Sequence, residues 1–114
     1  MPPPPVGDEW DVQFGTKKAV DGWRELCRQA PTAARTCWQQ LLTAPTERSS
    51  RQDQLKGDYA TRDRGGVALP QWQYEVTGGG RVWYLVDADR RMVWVVKAGC
   101  GHPRETDTQR RRQS

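Results

Sequence analysis

The stretch Trp72-Gln73-Tyr74-Glu75-Val76-Thr77-Gly78-Gly79-Gly80-Arg81-Val82-Trp83-Tyr84-Leu85-Val86 decides the fold. Trp72, Tyr74 and Val76 alternate with Gln73 and Glu75, the period of a strand with one apolar and one wetter face. Three glycines then permit the positive φ angles of a tight hairpin, and Arg81 to Val86 returns as the next strand. Asp87-Ala88-Asp89-Arg90 forms a second turn into Met92-Val93-Trp94-Val95-Val96. Both later strands are almost continuously apolar, which places them in the middle of a sheet.

Toward the N-terminus, Trp10-Asp11-Val12-Gln13-Phe14 alternates strictly and sends three large apolar side chains to one face. Thr16 offers an N-cap oxygen, and Ala19, Trp23, Leu26, Cys27 and Ala30 recur at helical spacing until Pro31. Thr32 offers a second cap, followed by Ala34, Cys37, Trp38, Leu41 and Leu42 at i, i+3, i+4, i+7 and i+8 before Ala44-Pro45. Thr46 to Leu69 shows neither period and reads as a long polar loop carrying Arg48, Arg51, Lys56, Arg62 and Arg64.

The expectation is an α+β domain: a small, mainly antiparallel four-stranded sheet in the order β-α-α-β-β-β, with a helical hairpin packed on one face. If the helices cover Trp72, Tyr74, Val76, Val82, Tyr84 and Val86, the open face presents Gln73, Glu75, Arg81 and Trp83. That face is where chemistry is expected.

A chain of 114 residues is one domain, expected over 10–106, with a disordered proline-rich leader over 1–9 and a basic flexible tail over 107–114. The net charge of +4 is uneven: residues 1–47 carry 5 basic and 6 acidic side chains, residues 48–114 carry 13 and 8. The basic half suits an anionic partner such as nucleic acid. No run of about 18 apolar residues and no secretion leader is found, so the expected compartment is the cytoplasm, away from membranes. Cys27, Cys37 and Cys100 form no CxxC pair and predict no disulfide framework. Cys100-Gly101-His102 lacks two further ligands for zinc, and Asp87-Ala88-Asp89 reads as a turn rather than a calcium loop.

The spread of residues from Trp10 to Arg104 resembles the RelE/ParE superfamily of toxins from bacterial toxin–antitoxin systems. The resemblance rests on the opening strand and helix from Trp10 through Leu26, Leu55-Lys56-Gly57, Trp72, Gly80-Arg81-Val82-Trp83-Tyr84, and the closing strand with its glycine-histidine turn from Val93 to His102. It implies a small sheet backed by a helical hairpin. It also implies a ribosome-dependent endoribonuclease that cuts mRNA, needs no metal or other cofactor, and is held inactive by a cognate antitoxin protein. The alternatives within the resemblance are a ParE-like toxin that binds DNA gyrase and is not a nuclease, and a non-toxic basic RNA-binding relative.

In the implied reaction a base takes the proton of a ribose 2′-OH, cations stabilise the phosphorane, and an acid protonates the leaving 5′ oxygen. Arg81 matches the family's functional arginine and can grip two phosphate oxygens; its other reading is a salt bridge with Glu75. His102 sits where several members place a catalytic histidine or basic residue. The well-known nucleases carry lysines at the two outward positions held here by Gln73 and Glu75, which leaves Glu75 as the candidate base or an ion-pairing surface residue. Lys56, Arg62, Arg64, Arg90, Arg91 and Arg104 are the candidate phosphate contacts, and Trp83, with Trp94 as a second choice, is the candidate for stacking a base.

Overall fold

A computed structural model describes residues 2–100, with the side chain of Cys100 excepted. His102, Arg104 and the expected tail over 107–114 lie outside the described residues. The elements are β1 (Asp11–Phe14), α1 (Lys17–Gln29), α2 (Pro31–Thr43), β2 (Gln52–Gln54), β3 (Thr61–Arg64), β4 (Val67–Glu75), β5 (Gly80–Asp87) and β6 (Met92–Cys100). The sheet runs β1-β6-β5-β4-β2, and β3 pairs with β4 off that path. As expected from their apolar runs, β5 and β6 are interior strands.

Two expectations are corrected. The sheet has six strands rather than four; it is mainly antiparallel as expected, with one parallel pair, β1 along β6, where Val12 lies opposite Val93 and Phe14 opposite Val95. The supposed loop over Thr46–Leu69 holds β2, a turn of 3₁₀ helix at Gly57–Tyr59, β3 and the start of β4. These strands are polar because they hang on the flank of β4: β3 pairs with Val67–Pro70 and β2 with Trp72–Tyr74 of that strand. All four residues Thr61, Arg62, Asp63 and Arg64 lack a buried side chain, so no hydrophobic period marks them.

The helices begin as their chemistry dictates, with one difference. Thr16 Oγ1 accepts from the Ala19 N–H at 3.0 Å and donates to the Val96 carbonyl at 3.1 Å, tying the start of α1 to β6. Thr32 does not cap α2. Pro31 is already its first residue, where a missing N–H costs nothing, and Ala30 is the cap position without a side-chain bond. Gly22 lets α1 press onto β6: a Cβ there would lie 1.8 Å from the Ala98 carbonyl oxygen.

The main core lies between the helical hairpin and one sheet face, with Leu26, Cys37 and Leu41 against Val82, Tyr84, Val93 and Val95. Trp38 bridges Phe14 and Trp23 at ring distances of 5.7 and 5.3 Å. Tyr84 is fully buried, its hydroxyl donates to the Pro45 carbonyl at 2.7 Å, and burial pushes its ionisation well up. Among the described residues no helix is long and apolar enough to cross a membrane.

Candidate functional site

The face of the sheet away from the helices carries two side-chain rows, set by the register of the β4–β5 hairpin. Glu75 lies opposite Arg81 and Gln73 opposite Trp83. Two residues along each strand separate the rows by about 7 Å. Alternation explains why these residues share the face while Tyr74, Val82 and Tyr84 are buried on the other.

In the first row an Arg81 nitrogen lies 4.0 Å from a Glu75 oxygen, and both side chains are about one-third exposed. Arg81 Nη1 donates to the carbonyls of Thr77, Gly78 and Gly80 at 3.2, 3.2 and 3.4 Å. The glycine turn therefore fixes the guanidinium through one nitrogen, and an arginine carries five donor hydrogens in all. Arg51 borders this row: its backbone carbonyl accepts from the Glu75 N–H at 2.7 Å and its guanidinium donates to the Glu75 carbonyl at 3.1 Å.

The second row extends across three strands. Trp83 Nε1 donates to Gln73 Oε1 at 2.8 Å, and Lys97 Nζ sits 4.6 Å from the Trp83 ring centre. Lys97 reaches this face because of a bulge. Trp83 pairs with Lys97 but Tyr84 pairs with Val95, so Val96 is an extra residue on β6. Counting by twos from Val93 and Val95 would turn position 97 toward the helices. The extra residue reverses the phase, so Lys97 joins Trp83 while Ala98 packs on the core beneath α1.

Tyr59 completes the second row from outside the main sheet. Its ring centre lies 5.5 Å from that of Trp83 at an interplanar angle of 58°, and the residue is 60% exposed. Its turn is pinned from below: the amide of buried Gln71 donates to the Tyr59 carbonyl at 2.8 Å, and Gln54 donates to the Ala60 carbonyl at 2.9 Å. Trp83 does face outward, as required for stacking, but Lys97 and Tyr59 already approach its ring, and the more open aromatic is Tyr59.

The other expected residues divide. Lys56 immediately precedes the Tyr59 turn and Arg62 is exposed on β3. Arg64 stacks on Trp94 at 3.9 Å and meets Arg90 across a groove of about 340 Å³ that Asp87 and Asp89 also line. Arg90 pairs with Asp87, while Arg91, at a φ of 52°, lies 4.6 Å over the Trp10 ring and bonds the Asp8 carbonyl. Arg90 and Arg91 follow the end of β5 that is about 20 Å along the strand from Arg81. They are not part of the two rows. Among the described residues no group of His, Cys, Asp and Glu side chains is placed to hold a metal ion.

Tyr59, Lys97 and Arg51 are the site residues that sequence reasoning did not select; Gln73 was placed on the open face but given no role there. Leu55-Lys56-Gly57-Asp58-Tyr59 had a glycine turn signal for Tyr59; nothing in the sequence announced the bulge.

A helical hairpin covers one face of a small mixed sheet, and cations, a carboxylate and aromatics line the other. Solved structures with this fold include a copper-bound mutant toxin from Helicobacter pylori (TM-score 0.56, 13% identity, 80% of this chain and 93% of that one). The RelBE2 toxin–antitoxin complex from Mycobacterium tuberculosis superposes with a TM-score of 0.51 at 13% identity over 84% and 95% of the two chains. A metal-bound toxin from Helicobacter pylori gives 0.53 at 11% over 80% and 93%. No family model and no curated protein sequence matches the chain. The chain therefore has the RelE-like toxin fold.

Proposed function

We propose that this chain is the cytoplasmic toxin of a toxin–antitoxin pair and that its open sheet face cleaves mRNA on the ribosome. The observation that carries the reading is the Glu75–Arg81 pair, one carboxylate beside one immobilised guanidinium, flanked by the cation and aromatics of the next row.

The Glu75 carboxylate takes the proton of a ribose 2′-OH. The oxygen attacks the adjacent phosphorus, Arg81 stabilises the negative phosphorane, and the bond to the 5′ oxygen breaks to leave a 2′,3′-cyclic phosphate. His102, which follows β6 by two residues in the sequence, supplies the proton that the leaving 5′ oxygen takes up. Lys56, Arg62 and Arg64 hold the RNA backbone, with Arg104 as a further contact. The antitoxin is a small protein whose acidic segment lies over the basic face.

Expression in bacteria with primer extension on transcripts, and a DNA supercoiling assay in parallel, tests this reading. Cleavage positioned by codons that is lost in Arg81→Ala and His102→Ala supports it. Cleavage unchanged in both variants overturns the site, and altered supercoiling without mRNA cleavage points to gyrase instead.

A further inference from the structure

Tyr59 is the most exposed aromatic ring of the described chain, and it is held with unusual care for a surface residue. Three hydrogen bonds fix its turn: Gln71 Nε2 to the Tyr59 carbonyl at 2.8 Å, Gln71 N to the Ala60 carbonyl at 2.8 Å, and Gln54 Nε2 to the Ala60 carbonyl at 2.9 Å. Gln71 is only 3% exposed, and its remaining side-chain oxygen has no hydrogen-bond partner among the described residues. A buried polar group left partly unsatisfied is a cost, and here it accompanies a turn that presents one ring to solvent. Trp83 braces that ring at 5.5 Å and is itself fixed by Gln73.

Charge complementarity identifies the occupant. Lys97 lies beside the supporting indole, Lys56 precedes the turn, and Arg81 stands one row away, so the aromatic pair is bordered by cations. An exposed π face bordered by cations suits a base of single-stranded RNA, which stacks on an aromatic while its phosphates meet the cations. We infer that Tyr59, braced by Trp83, is the stacking platform for the base of a nucleotide adjoining the one cleaved at Glu75–Arg81, and that the bulge at Val96 delivers Lys97 as a phosphate contact of the same subsite. This rests on the RNA-cleavage reading and adds to it a binding position for a neighbouring nucleotide.

Titration of the full chain with a mixed-sequence RNA decamer, followed by tryptophan fluorescence, tests it. Tyr59→Ala weakens binding by about 5- to 100-fold, the worth of one base–aromatic stack, while Tyr59→Phe stays within about twofold of the parent. Lys97→Gln lowers the slope of log affinity against log salt by about one, the signature of one lost phosphate contact. Equal affinity of the parent and Tyr59→Ala overturns the platform and leaves the cleavage reading standing, as does a parent chain that cleaves transcripts but does not bind the decamer. A parent that neither cleaves nor binds overturns both.

Discussion

Tyr84 and Trp83 are neighbours on β5 and face opposite sides of the sheet. Tyr84 has no exposed surface, and its one polar atom bonds a main-chain carbonyl at Pro45. Trp83 is half-buried, and its polar atom bonds a side chain, Gln73, with Lys97 and Tyr59 against its ring. The helix-covered face closes its interactions inward on the backbone, so its residues answer for stability. The open face has a smaller buried cluster of Leu69, Leu85 and Val96, on which Trp83 and Trp94 pack. The polar atoms beside Trp83, however, link side chain to side chain at the surface, where a ligand can rearrange or join them.

Substitutions can break or sharpen this contrast. The largest effect is expected from Tyr84→Ala, which leaves a cavity and an unpaired carbonyl and costs about 3–5 kcal/mol in chemical denaturation. Gly22→Ala follows, because its Cβ would collide with the Ala98 carbonyl backbone; α1 must lift from β6, at about 1–3 kcal/mol by the same measurement. A comparable loss from Trp83→Ala would erase the distinction between the faces.

Stability also falls at alkaline pH through groups on the covered face. Burial raises the ionisation of the Cys37 thiol and the Tyr84 phenol, so the folded chain keeps both neutral where the unfolded chain would lose protons. Their contribution is fully present below the unfolded values of about 8.5 and 10, and is lost as pH rises above them by up to about 1.4 kcal/mol per pH unit for each group. Denaturation midpoints measured from pH 7 to 11 should show this decline, and Cys37→Ala should remove its first part. A smaller change is expected for Thr16→Ala, about 1 kcal/mol for the lost cap. Smallest is Glu75→Gln, within about 1 kcal/mol as a partly exposed ion-pair partner, although its effect on RNA cleavage is predicted to be complete.

The same contrast explains what could be read in advance. The two helices and the hairpin strands carry strong apolar periods because one side of each is buried against the core, so Ala19, Leu26, Cys37, Leu41, Tyr74 and Tyr84 were legible as core residues. The outward placement of Glu75, Arg81 and Trp83 followed from the complement of that pattern. β2 and β3 were not legible: Gln52-Asp53-Gln54 and Thr61-Arg62-Asp63-Arg64 are strands because β4 offers them a free edge, not through any amphipathic pattern of their own. Tyr59 was missed for the same reason, since its turn is positioned by Gln54 on β2 and Gln71 on β4 and not by any pattern of its own. Lys97 was missed because a bulge is set by the pairing of two strands and leaves no mark on the hydrophobic period.

The central claim is that the open face performs 2′-OH attack on an RNA phosphate with Glu75 and Arg81. The most direct test is to map the 3′ ends of transcripts in cells expressing the parent chain or Glu75→Gln, using a ligation that captures only 2′,3′-cyclic phosphates. The parent should generate new cyclic-phosphate ends within coding regions and Glu75→Gln should generate none. Such ends appearing equally with both chains, or with neither, would contradict the account.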